Sequence, residues 1–188
     1  AVFQYEENSE DENASINNSL EGRDEKVNQL GKEKRILVQA DYLLPLNKDT
    51  QFEFGFRGNY SDQENDYQVF QLKEGDFFKN TDLSNVLVYK EHVSAFYSQF
   101  GKKNNNFSFL LGIRMEDTRI IINQRSTNDY NEKNYTKFFP TLNISYEFSN
   151  TESVILGYSR RISIPRGRFL NPFPSRASVA TFFQGNAD

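Results

Sequence analysis

The sequence predicts an all-β protein, an antiparallel up-and-down meander that forms part of a large transmembrane β-barrel. Apolar and polar residues alternate with a period of two in several segments, which is typical of strands whose two faces meet different surroundings. Short polar turns alternate with long hydrophilic connections, as they do in outer-membrane barrels. The 188 residues also include 18 Phe and 10 Tyr, yet the mean hydropathy is -0.73. The polar residues must therefore be segregated from the aromatic ones.

About six strands are expected between residues 36 and 162. Alternation is clearest in the segments 52–60, 107–116, 140–148 and 153–161. In 52–60, for example, one face carries mainly phenylalanine and the other carries Glu, Gly, Arg and Asn. Segments 36–44 and 88–100 are strand-like with a less regular pattern. The clearest strands have about the nine residues that a tilted membrane crossing needs.

The connections are expected to differ in length at the two ends of the sheet. Short polar turns are predicted at 47–50, 101–105 and 149–151, and long loops at 61–86 and 123–136. Residues 1–34 are rich in Glu, Asp, Asn and Ser and are predicted to form an acidic loop. Residues 163–188, which contain several arginines, are predicted to form a terminal loop. The whole chain is thus one partial barrel region.

The alternation assigns side chains to two faces. The lumen-facing candidates are polar or charged: Arg57, Arg114, Glu116, Glu147 and Arg161. The lipid-facing candidates are aromatic or aliphatic: Phe52, Phe54, Phe56, Phe107, Phe109, Leu111, Ile113, Leu142, Ile144, Tyr146, Val154, Leu156 and Tyr158. Arg114 and Glu116 are two residues apart on one strand, so they are candidates for a charge pair on the lumen wall.

The composition argues against several function classes. The chain has no Cys and a single His, His92. This composition argues against a thiolate zinc site, a histidine cluster and a Ser-His-Asp triad. The formal net charge of -4 argues against a nucleic-acid partner bound by bulk electrostatics. We therefore expect no enzyme activity, no catalytic residues, no cofactor and no metal site.

Six short segments carry a resemblance to a known family. They are 41–46 (DYLLPL), 112–116 (GIRME), 139–146 (FPTLNISY), 157–162 (GYSRRI), 170–173 (LNPF) and 185–188 (GNAD). In their order and spacing they resemble the carboxy-terminal barrel region of TonB-dependent outer-membrane receptors of the Bacteroidetes type, the outer membrane protein beta-barrel family. Such receptors have an amino-terminal plug and a TonB-contacting segment, which this chain does not supply. The resemblance therefore implies that the chain is a fragment of a longer receptor.

The resemblance also implies a location, a function and partners. The location would be the outer membrane of a Gram-negative bacterium, with membrane lipid around the barrel. The function would be import of a scarce ligand, driven by TonB acting through the plug. Two alternatives stay open: a non-transporting outer-membrane barrel that serves adhesion or structure, and a soluble β carrier whose Phe face surrounds an apolar ligand.

Overall fold

The computed structural model describes residues 1–18, 23–162, 175–178, 181–183 and 185. Seven strands form one sheet: β1 Val2–Asn18, β2 Arg23–Asn47, β3 Thr50–Lys73, β4 Asp76–Asn104, β5 Phe107–Gln124, β6 Asp129–Glu147 and β7 Ser153–Ser159. Two short strands, β8 Ser175–Ser178 and β9 Thr181–Phe183, form a separate pair. In the described ranges no helix is long and apolar enough to cross a membrane.

The strand order in the large sheet follows the chain order from β1 to β7. Every neighbouring pair is antiparallel. The predicted up-and-down meander is therefore confirmed. Residues 50–67 of β3, 87–102 of β4 and 107–124 of β5 are paired with a neighbouring strand on both sides. Their backbone N–H and C=O groups are therefore satisfied within the sheet, as a bilayer requires.

Tight turns join the long strands. Lys48 and Asp49 connect β2 to β3, and Glu74 and Gly75 connect β3 to β4. Glu74 and Gly75 have φ angles of 52° and 94°, the positive values that a two-residue hairpin turn with the native strand twist requires. Asn105, in the turn before β5, also has a positive φ of 49°, which Asn tolerates better than most residues.

The prediction of loops at 61–86 and 123–136 is wrong, because most of these residues are in strands. Residues 61–73 continue β3 and 76–86 begin β4, while 129–136 begin β6 after a turn at 125–128. The predicted acidic loop 1–34 is likewise mostly β1 and the start of β2. These segments have polar residues at positions where an alternating strand has apolar ones. They therefore lack the sequence pattern that predicts a membrane strand.

Cross-strand charge explains why the acidic segment is extended. Glu6 is opposite Arg35, Glu7 is opposite Lys34, and Ser9 is opposite Lys32 in the register of β1 and β2. The Lys34 Nζ lies 3.4 Å from the Glu7 carboxylate. Opposite charges facing one another stabilise an antiparallel pair. The acidic composition of β1 therefore complements a basic stretch of β2.

The predicted terminal loop 163–188 lies largely outside the described residues. The short strands β8 and β9 are the regular elements described within it. Arg161, a lumen-facing candidate, lies two residues beyond the end of β7 and outside the strand register.

An irregularity in β4 changes the course of the β3–β4 hairpin. Tyr67 is opposite Asn85 and Val69 is opposite Asn80, so residues 81–84 are extra relative to Gln68. The Ser84 hydroxyl accepts a 3.0 Å hydrogen bond from the Val69 N–H and donates a 2.6 Å bond to the Asn80 carbonyl. Ser84 and Val69 are almost fully buried. The bulge is therefore a fixed part of the structure and is typical of sites where a sheet bends.

Glycine allows the close approach of Tyr97 to the neighbouring strand. Gly55 is directly opposite Tyr97, and a Cβ at position 55 would lie 2.5 Å from the Tyr97 ring and 2.8 Å from the Ala40 carbonyl oxygen. The ring could move, but the carbonyl belongs to the backbone of β2. Any side chain at position 55 must therefore displace the backbone or the ring.

We expect Gly55→Ala to lower the free energy of unfolding of the full-length protein in lipid vesicles by about 1–3 kcal/mol, the usual cost of overpacking. Gly31→Ala is the matched control, because a Cβ there would meet its nearest atom at 3.8 Å. Urea unfolding measures both variants. Equal stability of the two variants would contradict the packing described for Tyr97.

Candidate functional site

The register places every lipid-facing candidate on one face of the sheet, here named the aromatic face. One row across it reads Leu44, Phe52, Phe100, Leu111, Leu142 and Tyr158. Its side chains are exposed or half-buried in the described structure, with Phe54 (47 %), Phe96 (56 %) and Leu156 (64 %) among the exposed ones. Neighbouring rings pack in tilted pairs, including Phe56 and Phe96 with centroids 4.9 Å apart. An apolar exposed area of this kind is unusual for a protein surface in water.

The aromatic face ends at a border where charged side chains begin. On β3 the continuous apolar run ends at Tyr60, and the next residue on that face is Asp62. On β5 the run ends at Met115, and Asp117 and Arg119 follow on that face before Ile121. The row of Tyr60 already contains His92 and Arg119, while Met115 lies in the row of Phe56. The border therefore shifts by four residues along the strands between β3 and β5.

The shift gives the angle between the strands and the perpendicular of the border. β2 shares the border row of β3, since Ile36 is opposite Tyr60, and β6 shares that of β5, since Phe138 is opposite Met115. Four residues correspond to about 13 Å, and the centres of these two strand pairs are separated by about three interstrand spacings, or about 14 Å. The strands are therefore inclined by about 40° to the perpendicular of the border, within the range of strand tilt in outer-membrane barrels.

The aromatic face has the same width on different strands. It covers 52–60 on β3, 107–115 on β5 and 138–146 on β6. The lower border, towards the short turns, is shifted in the same direction as the upper one, since Phe52 is in the row of Leu111 and Phe107 lies four residues below it. About nine residues on a tilted strand suffice to cross a bilayer core.

Beyond the upper border, the outward charged side chains pair with one another. The Asp62 carboxylate lies 2.9 Å from Lys90 Nζ and 2.7 Å from His92 Nε2, and the His92 ring meets Tyr60 edge-on. Burial raises the pKa of Asp62, but the hydrogen bonds from His92 and Lys90 outweigh it, so the pKa is lower than usual. Exposed ion pairs contribute little stability each. Their main effect here is to give this end of the sheet a surface suited to water.

A second group centres on Glu132. Its carboxylate accepts hydrogen bonds from the Tyr130 hydroxyl (2.6 Å), Asn134 Nδ2 (2.9 Å) and Arg119 Nε (2.9 Å). These bonds, with that from Tyr130 the largest contribution, lower the pKa of Glu132 to about 2. Hydrogen bonds to the ionised form stabilise it over the protonated form.

The opposite face, here named the polar face, carries the lumen-facing candidates of the strands. Arg57 and Glu116 lie in one row with Ala95 between them, and Arg114 lies between Tyr97 and Phe139 in the next row. The predicted Arg114–Glu116 pair is present as an ion pair through Arg114 Nε. Glu147, near the short turns, pairs with Lys103 at 3.1 Å. The roles of these residues inside a barrel stay predictions.

A cleft opens on the polar face beside Arg57 and is here named the Arg57 cleft. Its volume is about 230 Å³. It is lined by Gln39, Arg57, Tyr97, Gln99, Gly112, Ile113, Arg114, Phe139 and Thr141. The Arg114 guanidinium lies 5.8 Å from the centre of the Tyr97 ring. Within the described ranges, no group of three His, Cys, Asp or Glu side chains could hold a metal ion.

The polar face becomes apolar beyond the upper border. Leu87, Tyr89, Ile120 and Ile122 form a buried cluster, with Tyr135 packed against it. Burial raises the pKa of Tyr89, whose hydroxyl donates to Glu91. At this end of the sheet the charged groups thus continue the aromatic face and the apolar groups continue the polar face. The run Ile120–Ile122 signals apolar character in the sequence, but its face depends on the register.

A sheet with a slanted band of exposed apolar side chains, a polar opposite face and charged strand ends has the features of an outer-membrane β-barrel wall. The model of the outer membrane protein beta-barrel family matches residues 1–188. The chain belongs to this family and is a protein of the cell outer membrane.

A solved structure shares the fold. The crystal structure of the ferric citrate transporter FecA in the unliganded form matches with a TM-score of 0.57 and 13 % sequence identity. The match covers 81 % of this chain and 23 % of the FecA chain. The chain thus corresponds to less than a quarter of that barrel protein's length. A search of curated proteins found no match.

The Glu132 group gives a prediction for pH dependence. Because the pKa of Glu132 is lowered in the folded protein, its contribution to stability is present above its ordinary value of 4.5 and is lost as the pH falls towards about 2. In a carboxyl ¹³C NMR titration of the full-length protein, assigned with Glu132→Gln, we expect a midpoint near 2. Tyr130→Phe should raise it and Tyr158→Phe should not. A wild-type midpoint of 4.5 would contradict the hydrogen-bonded group.

Proposed function

We propose that this chain is part of the wall of a TonB-dependent receptor that imports a scarce ligand across the outer membrane. The observation that carries the proposal is the combination of two different faces on one slanted sheet. The aromatic face suits lipid over about nine residues of each crossing, while the polar face carries paired charges and a cleft. Membership of the family and the likeness to a transporter barrel support the same function.

In this arrangement the aromatic face lies against lipid and the polar face lines the lumen. The short turns at 48–49, 105–106 and 149–151 lie at the periplasmic end. The long hairpin ends, with the turns at 74–75 and 125–128, lie outside the cell. Because the outer ends carry charge outside and apolar groups inside, they can stand in water without lipid. They form a rigid rim that a ligand meets before it enters the lumen.

Coupling to TonB would act through a plug elsewhere in the full-length protein. TonB would supply energy from the proton-motive force. The barrel wall would therefore only bind and release the ligand, without covalent chemistry. The soluble-carrier alternative requires the aromatic face to be covered by protein. Membership of the outer membrane protein beta-barrel family disfavours this alternative.

The orientation in the membrane can be tested with one variant on each face. Leu111 lies at the middle of the aromatic band on β5, and Gln99 lies on the polar face of β4 opposite Gly112. We expect Leu111→Arg to lower the free energy of unfolding in lipid vesicles by about 2–4 kcal/mol, while Gln99→Arg costs much less. Urea unfolding of the full-length protein measures both. A larger loss for Gln99→Arg would reverse the assignment of the faces.

Import is tested by following solutes in the growth medium by mass spectrometry. Three strains are compared: one with the full-length gene, one without it, and one in which TonB is deleted. We expect at least one solute whose depletion requires both the gene and TonB. Identical depletion profiles in all three strains would overturn the import proposal and favour an adhesion or structural barrel.

A further inference from the structure

We propose that Pro140 is a pairing stop, which ends the β6–β7 ladder at the upper border and leaves the outer half of β6 bonded to β5 alone. The starting observation is the difference in length between the two strands. β6 has 19 residues and β7 has 7. The ladder of β6 with β7 ends at Thr141, next to Pro140, whereas its ladder with β5 continues to the first residue of β6.

The direction of the Pro140 backbone explains the difference. In an antiparallel ladder the N–H and C=O groups of one residue point to the same neighbouring strand, and successive residues point to opposite strands. The Arg160 N–H donates to the Pro140 carbonyl oxygen at 3.2 Å, and the Glu147 N–H donates to the Asn106 carbonyl oxygen, in the turn before β5, at 2.8 Å. Even-numbered residues of β6 therefore face β7, and odd-numbered residues face β5.

Pro140 thus lacks a donor where the next bond to β7 would form. Another residue would donate its N–H to the Arg160 carbonyl oxygen, but proline has no N–H and its ring occupies that position. The β5–β6 ladder uses the odd-numbered residues, so its register continues past Ile113 opposite Pro140. The other proline in the described strands of the large sheet, Pro45, also lies beside a shift in register.

The side chains do not account for the end of the ladder. Residues 160–162 are described and exposed but lie outside the strands. If the pairing continued, Arg161 would be opposite Phe139 and Ile162 would be opposite Phe138. Neither pair brings like charges together, and a pair of Ile and Phe stabilises antiparallel strands. The obstacle is therefore in the backbone at Pro140.

The stop coincides with the upper border of the aromatic face. Phe138 marks that border on β6, and Pro140 is the next residue towards the band on the same face. Unpaired backbone N–H and C=O groups are costly in a bilayer, whereas water can satisfy them. A strand can therefore lose its neighbour cheaply only beyond the border. The inference rests on the proposed function in this respect alone, that residues beyond the border meet water.

Amide hydrogen exchange of the full-length protein in lipid vesicles, read residue by residue by mass spectrometry, tests the open edge. In 130–138 we expect even-numbered amides to exchange at least about tenfold faster than odd-numbered ones, which donate to β5. Residues 141–146 should show no alternation, because β6 has both neighbours there. Equal protection of even and odd amides in 130–138 would overturn the proposal, because another strand would then cover the edge.

Two variants test the cause. Pro140→Val restores the N–H with a strand-forming residue. Leu142→Val is the matched control, because Leu142 faces the same way, has an N–H and is already paired with Tyr158. We expect Pro140→Val to slow exchange of the Ile162 amide at least about tenfold by extending the ladder, and Leu142→Val to leave it unchanged. Equally fast exchange of this amide in both variants would show that another feature ends the ladder.

Disulfide cross-linking gives an independent readout, because the chain has no cysteine. Thr141→Cys with Ser159→Cys places a cysteine pair at the end of the ladder, where Cα atoms about 4.5 Å apart suit a disulfide. Phe139→Cys with Arg161→Cys places the next pair beyond the stop. All other cysteines of the full-length protein are replaced by serine.

We expect the pair at 139 and 161 to oxidise at least about tenfold more slowly than the pair at 141 and 159. Pro140→Val should remove most of that difference. Equal oxidation rates with Pro140 present would overturn the proposal. None of these readouts depends on transport, so failure of the import experiment would leave the pairing stop standing.

Discussion

Continuous backbone pairing between neighbouring antiparallel strands is the constraint on which the structure depends. In a bilayer, each unpaired N–H or C=O group costs several kcal/mol, so a strand can cross only when both edges are bonded. Within the described residues β3, β4 and β5 meet this requirement along their crossing segments, while β1 and β7 are each paired on one edge. Once the register is fixed, the side chains of every second residue must share a face.

The two faces acquire their roles from this geometry. Rows of aromatic and aliphatic residues merge into one band because opposite residues point the same way across all strands. The strands are inclined by about 40° to the perpendicular of the band, which is the strand tilt that a barrel needs. Beyond the band the preference reverses, with Asp62 and Glu132 on the side of the aromatic face and the Tyr89 cluster on the side of the polar face. The two halves of the strands therefore differ in which face is apolar.

The sequence was sufficient to predict the fold class and the membership of each face, because a period of two needs only local information. Phe52 and Leu111 could be assigned to a face without knowledge of their neighbours. The strand ends at 61–86 and 123–136 were missed, because polar residues in a strand give no alternation. Their extended conformation follows from pairing with a partner strand, as Glu7 and Lys34 illustrate.

The Arg57 cleft and the slant of the aromatic band also could not be predicted from local sequence patterns. Arg57 and Arg114 are distant in the sequence and meet only through the register of three strands. The spacing of Arg114 and Glu116, by contrast, was enough to predict their ion pair. The difference is physical, since contacts along one strand depend on its own geometry, whereas contacts across strands depend on the whole sheet.

We infer that the aromatic face contacts lipid between the two borders and meets water beyond Tyr60. Because the chain has no cysteine, single cysteines carrying a fluorophore can be placed at each position from 52 to 64 of the full-length protein in vesicles of brominated lipid. The account predicts quenching at even positions from 52 to 60, little at odd positions, and a sharp loss at 62 and 64. Uniform quenching, or quenching that continues at 62 and 64, would contradict it.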